Sequence, residues 1–356
     1  MRHTLIVFSL ILVSFASACS PSTATPTAVA GTEIPAIASP TSIPPTQALV
    51  PINVCYTATT GTQAVTWYAY EQQLFQKYGL IVELTYINSG SKAVTALLAG
   101  SVDICQLAGS AVVNAVAAGQ DAVMIAGLYN LYPASLMVTA DIHTPQDLVG
   151  KALAITQPGS STDVGTRLAL AQLGLVPDTD VALLALGEES IRMAAMENGQ
   201  VAGTLLTSPD TLFGREKGYF EMVNLGALNI AYQHTGIGTT RHYIQSHFSE
   251  VENFMKAILE AIAMMKNDPE GTKAVLAQYL LLDMNTDAAA LEDAYQTLIL
   301  KGLEEVPFPT LPGIQTLIDY QSASNASVGL ISPDQVVDLS ILNDLQDSGF
   351  IAQLNK

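Results

Sequence analysis

Between Pro51 and Ala108 short apolar runs alternate with stretches whose apolar positions recur every three or four residues. INVCYTA (52–58), IVELTYI (81–87) and SVDICQLA (101–108) predict strands, and Ala64–Tyr78 between the first two predicts a helix stopped by Gly79. Gly90-Ser91 opens a second helix that reaches Leu98 and ends at Gly100, and Gly109-Ser110 opens a third. Strand followed by helix, with a glycine at each helix end, predicts parallel βαβ units.

The same order returns further on. LVGKALAIT (148–156) predicts a strand, Ser161–Leu173 a helix ending at Gly174, VALLAL (181–186) a strand, and Gly187-Glu188 opens a helix that ends at Gly199. Set ALLAGSVDICQLA (96–108) on AMENGQVAGTLLT (195–207): Gly100 falls on Gly199, Val102 on Val201 and Ala108 on Thr207. Two similar α/β halves, each with its own sheet, are expected. After Thr240 the pattern turns helical, through Val251–Asn267, Pro269–Leu281, Ala288–Lys301 and Gly313–Ala323, with Pro307-Phe308-Pro309 interrupting. This tail is expected to pack around one lobe rather than add a third sheet.

Parallel strands place their carboxyl ends on one edge, where open α/β sheets bind ligands. That edge carries hydroxyls in both halves: Thr59, Thr60, Thr62, Ser91 and Ser110 in the first, Ser160, Ser161, Thr162, Thr207 and Ser208 in the second. Each could serve only as a helix cap, since Ser and Thr are favoured there whatever the function. Recurrence at matching loops points to a site. A helix start offers unpaired N–H groups and partial positive charge, so Gly159–Thr162 could hold a carboxylate, sulfonate or polar heterocycle without a lysine.

Composition narrows the partners. The chain has 356 residues and a formal charge of −18, with only 14 Lys and Arg. Nucleic-acid binding and adhesion to anionic lipid both need clustered cations, and both are disfavoured. At the N-terminus Arg2 and His3 precede the apolar run Leu5–Val13, too short for an ordinary membrane span. Ala16-Ser17-Ala18-Cys19 is similar to a bacterial lipobox, with Ala16 where Leu is usual. The expectation is a signal peptide over 1–18 and acylation of Cys19; simple cleavage and release is the alternative. Residues 19–50, rich in Pro, Thr, Ser and Ala, read as a disordered tether. Cys55 and Cys105 fall in predicted strands, and adjacent strands rarely give good disulfide geometry, so free buried thiols are expected.

Enzyme signatures are missing from the sequence. Gly159-Ser160-Ser161 lacks the second glycine of a nucleophile elbow, Gly236-Ile237-Gly238 has no acidic ribose partner, and His143, His234, His242 and His247 form no metal-binding spacing. No cofactor is indicated. Trp67, Tyr129 and Tyr132 are candidates to stack on a flat ligand, with core packing as the commoner fate.

FQKYGLIVELTYINSGSKAVTALLAGSVDI (75–104), LVGKALAITQPGSSTDVGTRLALAQLGL (148–175) and MENGQVAGTLLTSP (196–209) resemble the substrate-binding proteins of bacterial ABC importers. The branch is the nitrate/sulfonate/taurine type, with relatives that bind thiamine-precursor pyrimidines. The resemblance implies a type II periplasmic-binding-protein fold: two α/β lobes joined by two hinge crossings, with a helical C-terminal tail. Lobe one would comprise 51–139 and 238–356, and lobe two 140–237, with hinges at Thr139-Ala140 and Gly236–Gly238. Carried onto this chain, the family's binding loops fall on Thr60, Gly61, Thr62, Gly90, Ser91, Gly109, Ser110, Ser160, Ser161, Thr162, Thr207 and Ser208, with Gly187 and Glu188 added. The implied role is extracytoplasmic capture of a small polar or anionic ligand by a monomer anchored to the membrane through its lipid, with delivery to a permease and its ATPase. A sensor module of the same fold is the alternative. An exported enzyme is a further one, although pyrimidine synthases of this fold carry a cysteine-rich iron motif that this chain lacks.

Overall fold

The computed structural model describes residues 49–354. The expected signal segment, Cys19 and all but the last two tether residues lie outside them. Within the described residues no helix is long and apolar enough to cross a membrane.

Ten strands build two sheets: β1 (Val50–Tyr56), β2 (Leu80–Tyr86), β3 (Ile104–Ala108), β4 (Val123–Gly127), β5 (Ala134–Val138), β6 (Ala152–Ile155), β7 (Ala182–Ala185), β8 (Gly203–Thr207), β9 (Phe220–Asn224) and β10 (Thr235–Thr239). Their orders are β2-β1-β3-β10-β4 and β7-β6-β8-β5-β9, the same arrangement twice. The expected repeat is therefore present at the level of topology. The expected parallel βαβ units are present, in β1–β2–β3 and β6–β7–β8, and each sheet adds one antiparallel strand: β10 runs antiparallel to β3 and β4, and β5 antiparallel to β8 and β9. Each of these is the strand that has just arrived from the other sheet. A strand entering a sheet at its cleft edge must run away from that edge, against neighbours that run toward it.

The same logic moves the crossings. β5 already belongs to the second sheet and β10 to the first, so the chain crosses at 128–133 and again at 225–234. Thr139 and Ala140 follow β5 at its far end, and Gly236 and Gly238 sit inside β10. The two glycines serve close packing: a Cβ on Gly236 would lie 2.1 Å from the Ala126 carbonyl oxygen, and one on Gly238 2.7 Å from Leu107 Cδ2. ASLMV is buried at every position, as a central strand of either sheet would be, so its pattern does not reveal which sheet it joins.

Helices α1 (Ala64–Glu71), α2 (Leu74–Lys77), α3 (Gly90–Leu98) and α4 (Gly109–Ala117) belong to the first lobe, and α5 (Ser161–Gln172), α6 (Glu189–Glu197) and α7 (Asp210–Glu216) to the second. The single helix expected over Ala64–Tyr78 is broken where Gln73 adopts φ 56°. In the tail, α8 (Arg241–Ser246) leads into α9 (Phe248–Asn267), whose Val251, Phe254, Met255, Ile258, Leu259, Ile262 and Met265 are buried at helical spacing. That face packs on α1 and α2. There follow α10 (Pro269–Leu280), α11 (Ala288–Ala294), a π-helical turn (Tyr295–Gly302), α12 (Leu311–Ser322), α13 (Ser340–Asp347) and α14 (Phe350–Leu354). Most of the tail covers lobe one, but α12 lies against both α4 and α5 and so bridges the lobes.

Cys55 and Cys105 form a disulfide, contrary to the expected free thiols, with Cα atoms 4.4 Å apart. They are direct partners across β1 and β3. That opposed register brings the two side chains together, which the sequence pattern of two strands does not specify.

Candidate functional site

The carboxyl ends of β1, β2 and β3 face those of β6, β7 and β8 across a cavity of about 130 Å³. That is small beside the ~300–1,000 Å³ of drug-sized sites. The amino ends of β5 and β10 also reach it, through Ala134 and Thr235, because both strands run away from the cleft. Of the residues expected at a site, Thr60, Thr62, Gly90, Ser91, Ser110, Tyr132, Ser160, Ser161, Thr162, Glu188 and Thr207 line this cavity.

Lobe one shapes its wall with a buried glutamine. Gln106, on β3, donates from Nε2 to the Thr62 carbonyl at 2.8 Å and accepts the Thr66 hydroxyl at 2.5 Å through Oε1. This holds the turn after β1 against β3, with the Thr60 and Thr62 hydroxyls 2.9 Å apart. Ser89 caps α3, accepting the Lys92 N–H at 3.5 Å. Ser110, in the first turn of α4, is 1% exposed and its hydroxyl has no hydrogen-bond partner among the described residues.

Lobe two builds the turn Thr156–Asp163 mostly from its own bonds. Thr162 Oγ1 accepts the Thr156 N–H at 2.7 Å, Ser160 Oγ accepts the Asp163 N–H at 3.4 Å, and Asp163 Oδ2 accepts the Gly159 N–H at 2.7 Å. Thr162 and Ser160 are thus occupied in holding the helix start. Ser161 differs, since its hydroxyl is buried with no well-formed hydrogen bond among the described residues, the Tyr132 and Tyr232 phenols standing beside it. Ser110 and Ser161 therefore form a pair: each lies in the first turn of a helix that follows a sheet strand, one per lobe, each with hydrogen-bonding capacity unspent.

Charge is confined to lobe two. Arg192 of α6 is 2% exposed and donates to Thr204 Oγ1 at 2.6 Å, the Leu205 carbonyl at 2.8 Å and the Gly187 carbonyl at 3.2 Å, with Glu189 at 3.5 Å. Glu189 accepts the Thr207 N–H at 2.8 Å. Burial, and then the Asp210 carboxylate, push the Glu189 carboxyl up to about 7 against the pull of Arg192. Burial also raises Asp210, again against Arg192. At the opposite end His234, between the crossings and the cleft, is held neutral by burial, its pKa lowered to about 3. Its ring lies 4.4 Å from that of Tyr132, which stacks on Tyr232 at 4.8 Å, so an aromatic column joins the two crossings.

Two clasps tie the walls together. Glu188 Oε1 accepts the Tyr86 hydroxyl at 2.9 Å and the Asn88 amide at 2.6 Å. Gln157 Nε2 donates to Ser89 Oγ at 3.1 Å and Ser91 Oγ at 3.0 Å.

The other expected site residues stand elsewhere. Trp67 is fully buried in lobe one and stacks on Tyr279 with centroids 4.6 Å apart, which removes it from any ligand. Gly61 and Gly109 lie behind the cleft, against Leu298 and Gln233. Gly187 turns the chain at φ 90° and lends its carbonyl to Arg192. Ser208 and Tyr129 face a different cavity. Tyr86, Asn88, Gln157, Glu189 and Arg192 line the cleft without having been singled out, as does His234, which the sequence offered as a possible ligand contact near a crossing but more readily as a structural histidine. For Tyr86, Asn88 and Gln157 a signal was available, since each ends or closely follows a strand on the cleft edge; Arg192, one turn into α6, carries no such signal.

Comparison with known proteins agrees with this geometry. No curated protein sequence matches the chain. A protein of known structure from Bordetella bronchiseptica is 17% identical, with a TM-score of 0.71, over 84% of this chain and 98% of its own. The periplasmic aliphatic sulphonate binding protein SsuA from Escherichia coli is 20% identical, with a TM-score of 0.66, over 81% and 92%. The periplasmic nitrate-binding protein NrtA from Synechocystis is 13% identical, with a TM-score of 0.66, over 84% and 89%. The two-sheet architecture is thus that of periplasmic binding proteins. Residues 62–272 match the family model described as NMT1/THI5 like, a span that contains both walls of the cleft almost entire. The chain belongs to the NMT1/THI5-like family.

Proposed function

We propose that this chain is the extracytoplasmic solute-binding component of an ABC importer, which captures a small polar ligand between its lobes and presents it to a permease. The observation that carries this reading is the pair Ser110 and Ser161, buried hydroxyls with no well-formed hydrogen bond among the described residues, on opposite walls of one cavity. A buried hydroxyl left unpaired is costly, and a ligand bonded to both would remove that cost while drawing the walls together. The sulphonate- and nitrate-binding proteins named above support the reading by likeness of fold. Binding rather than catalysis is favoured because the unpartnered serines do not bond to His234, whose Nδ1 lies 2.8 Å from the Thr235 hydroxyl instead. Rotation about 128–133 and 225–234 would open and close the cleft, with the Glu188 and Gln157 clasps as latches. Export, acylation of Cys19 and a monomeric state complete the proposal.

The test is a thermal-shift screen of alkanesulfonates, nitrate, bicarbonate, pyrimidines and flavins, followed by small-angle scattering. A ligand that raises the melting temperature is expected to reduce the radius of gyration. A tight ligand that leaves the scattering profile unchanged in both wild type and Glu188→Ala would count against capture by closure.

A further inference from the structure

A second cavity opens on the flank of the seam between the lobes, about 420 Å³ against about 130 Å³ for the cleft. On one side it is walled by α7 and the loop after β8, on the other by α11 and the π-helical turn, with the first crossing between them. The chain has 14 basic side chains, and two of them meet here: Arg215 from α7 and Lys301 from the π-helical turn. Arg215 pairs with Glu221 at 3.1 Å at the surface. Among the described residues Lys301 has no carboxylate within ion-pair distance.

The inner end of the cavity is polar as well. Tyr129 is 1% exposed, and its hydroxyl has no hydrogen-bond partner among the described residues. A Cβ on Gly302 would meet Tyr129 Cε1 at 3.3 Å and Cδ1 at 3.4 Å, which puts one edge of the ring against the π-helical turn, and Tyr129 and Lys301 both line the cavity. Burial keeps the phenol protonated, so it stands as a donor. Asp293, the carboxylate on the wall, accepts the Ser208 hydroxyl at 2.5 Å in a bond that joins the lobes. Turns of π-helix concentrate at functional sites.

We propose that this cavity is a second ligand site, which takes a small molecule bearing a carboxylate or phosphate group between Arg215 and Lys301, with the Tyr129 hydroxyl as a further donor. Its occupant touches both lobes. Its affinity therefore depends on how they are set, and by linkage it changes the affinity of the cleft by the same factor.

Calorimetric titration of the full chain with inorganic phosphate, and separately with malonate, is expected to give millimolar or tighter binding of at least one. The double variant Arg215→Ala, Lys301→Ala should lose at least tenfold in that affinity. Tyr129→Phe should lose about two- to tenfold while the melting temperature without added anion stays equal or rises, since an unpaired buried hydroxyl has been removed. The cleft variant Ser110→Ala, Ser161→Ala should bind the anion as wild type does. Failure of both anions to bind, unchanged binding in the double variant, or loss of binding in the cleft variant instead would each overturn the proposal.

Discussion

On the lobe-one wall of the cleft stand Thr57, Thr59, Thr60, Thr62, Ser89, Ser91 and Ser110 with Tyr86 and Asn88, and none carries formal charge; on the lobe-two wall Glu188, Glu189 and Arg192 stand among Thr156, Gln157 and Ser160–Thr162. The backbones that present them follow one plan, yet the chemistry differs. Neutral hydroxyls on the first wall can exchange one partner for another at little cost. Of the charges on the second, Arg192 and Glu189 are buried and mutually dependent, so they fix the shape of that wall as well as its field. One wall is suited to adapt to a guest. The other is suited to hold its form.

The sharpest way to break this contrast is Arg192→Ala, which leaves Glu189 and Asp210 without their cation. Stability should fall by about 3–5 kcal/mol, read as a shift in denaturant midpoint. A loss comparable to that of a lobe-one hydroxyl would mean the two walls do not differ in this way.

Next comes pH. Glu189 is raised from 4.5 to about 7 in the fold, so it contributes stability that is present below 4.5 and lost as pH rises through 7. Asp210, also raised, adds in the same direction. His234 acts oppositely, its lowered pKa removing stability as pH falls from 6.5 toward 3. Comparison with Glu189→Gln isolates the first effect. Between pH 5 and 8 the wild type should lose stability relative to the variant, and parallel curves would place the Glu189 carboxyl at its ordinary value.

The smallest effects sharpen the comparison within one turn. Thr162→Ala removes the acceptor of the Thr156 N–H and should cost about 1 kcal/mol of stability. Ser110→Ala and Ser161→Ala should cost none and should weaken ligand binding about two- to tenfold each. Equal melting-point losses in all three would make the serines ordinary caps.

Much of this architecture could be read from the chain. The paired strand–helix order, the glycine stops and the helical tail all carry periodic signals, and the structure follows them to within a few residues. What escaped was set by partners distant in sequence. Arg192 reads as one surface cation on an amphipathic helix until Thr204 and Leu205 enclose it. Trp67 follows the commoner of the two fates expected of it, core packing, but its partner Tyr279 lies 212 positions later, beyond any local pattern. The disulfide depends on the register of β1 against β3, and the crossings on the direction in which β5 and β10 run. Hydrophobic period encodes which face of an element is buried, not which sheet claims it.

The interchange of strands also orders assembly in time. Residues 134–224 supply every strand of the second sheet from one unbroken piece of chain, so that sheet can form as soon as they are available. The first sheet cannot, because β10 occupies the slot between β3 and β4 and arrives more than a hundred residues after them. Until β10 is available, β4 has no strand connecting it to β3, which pairs on its other side with β1. The half begun first is the half finished last.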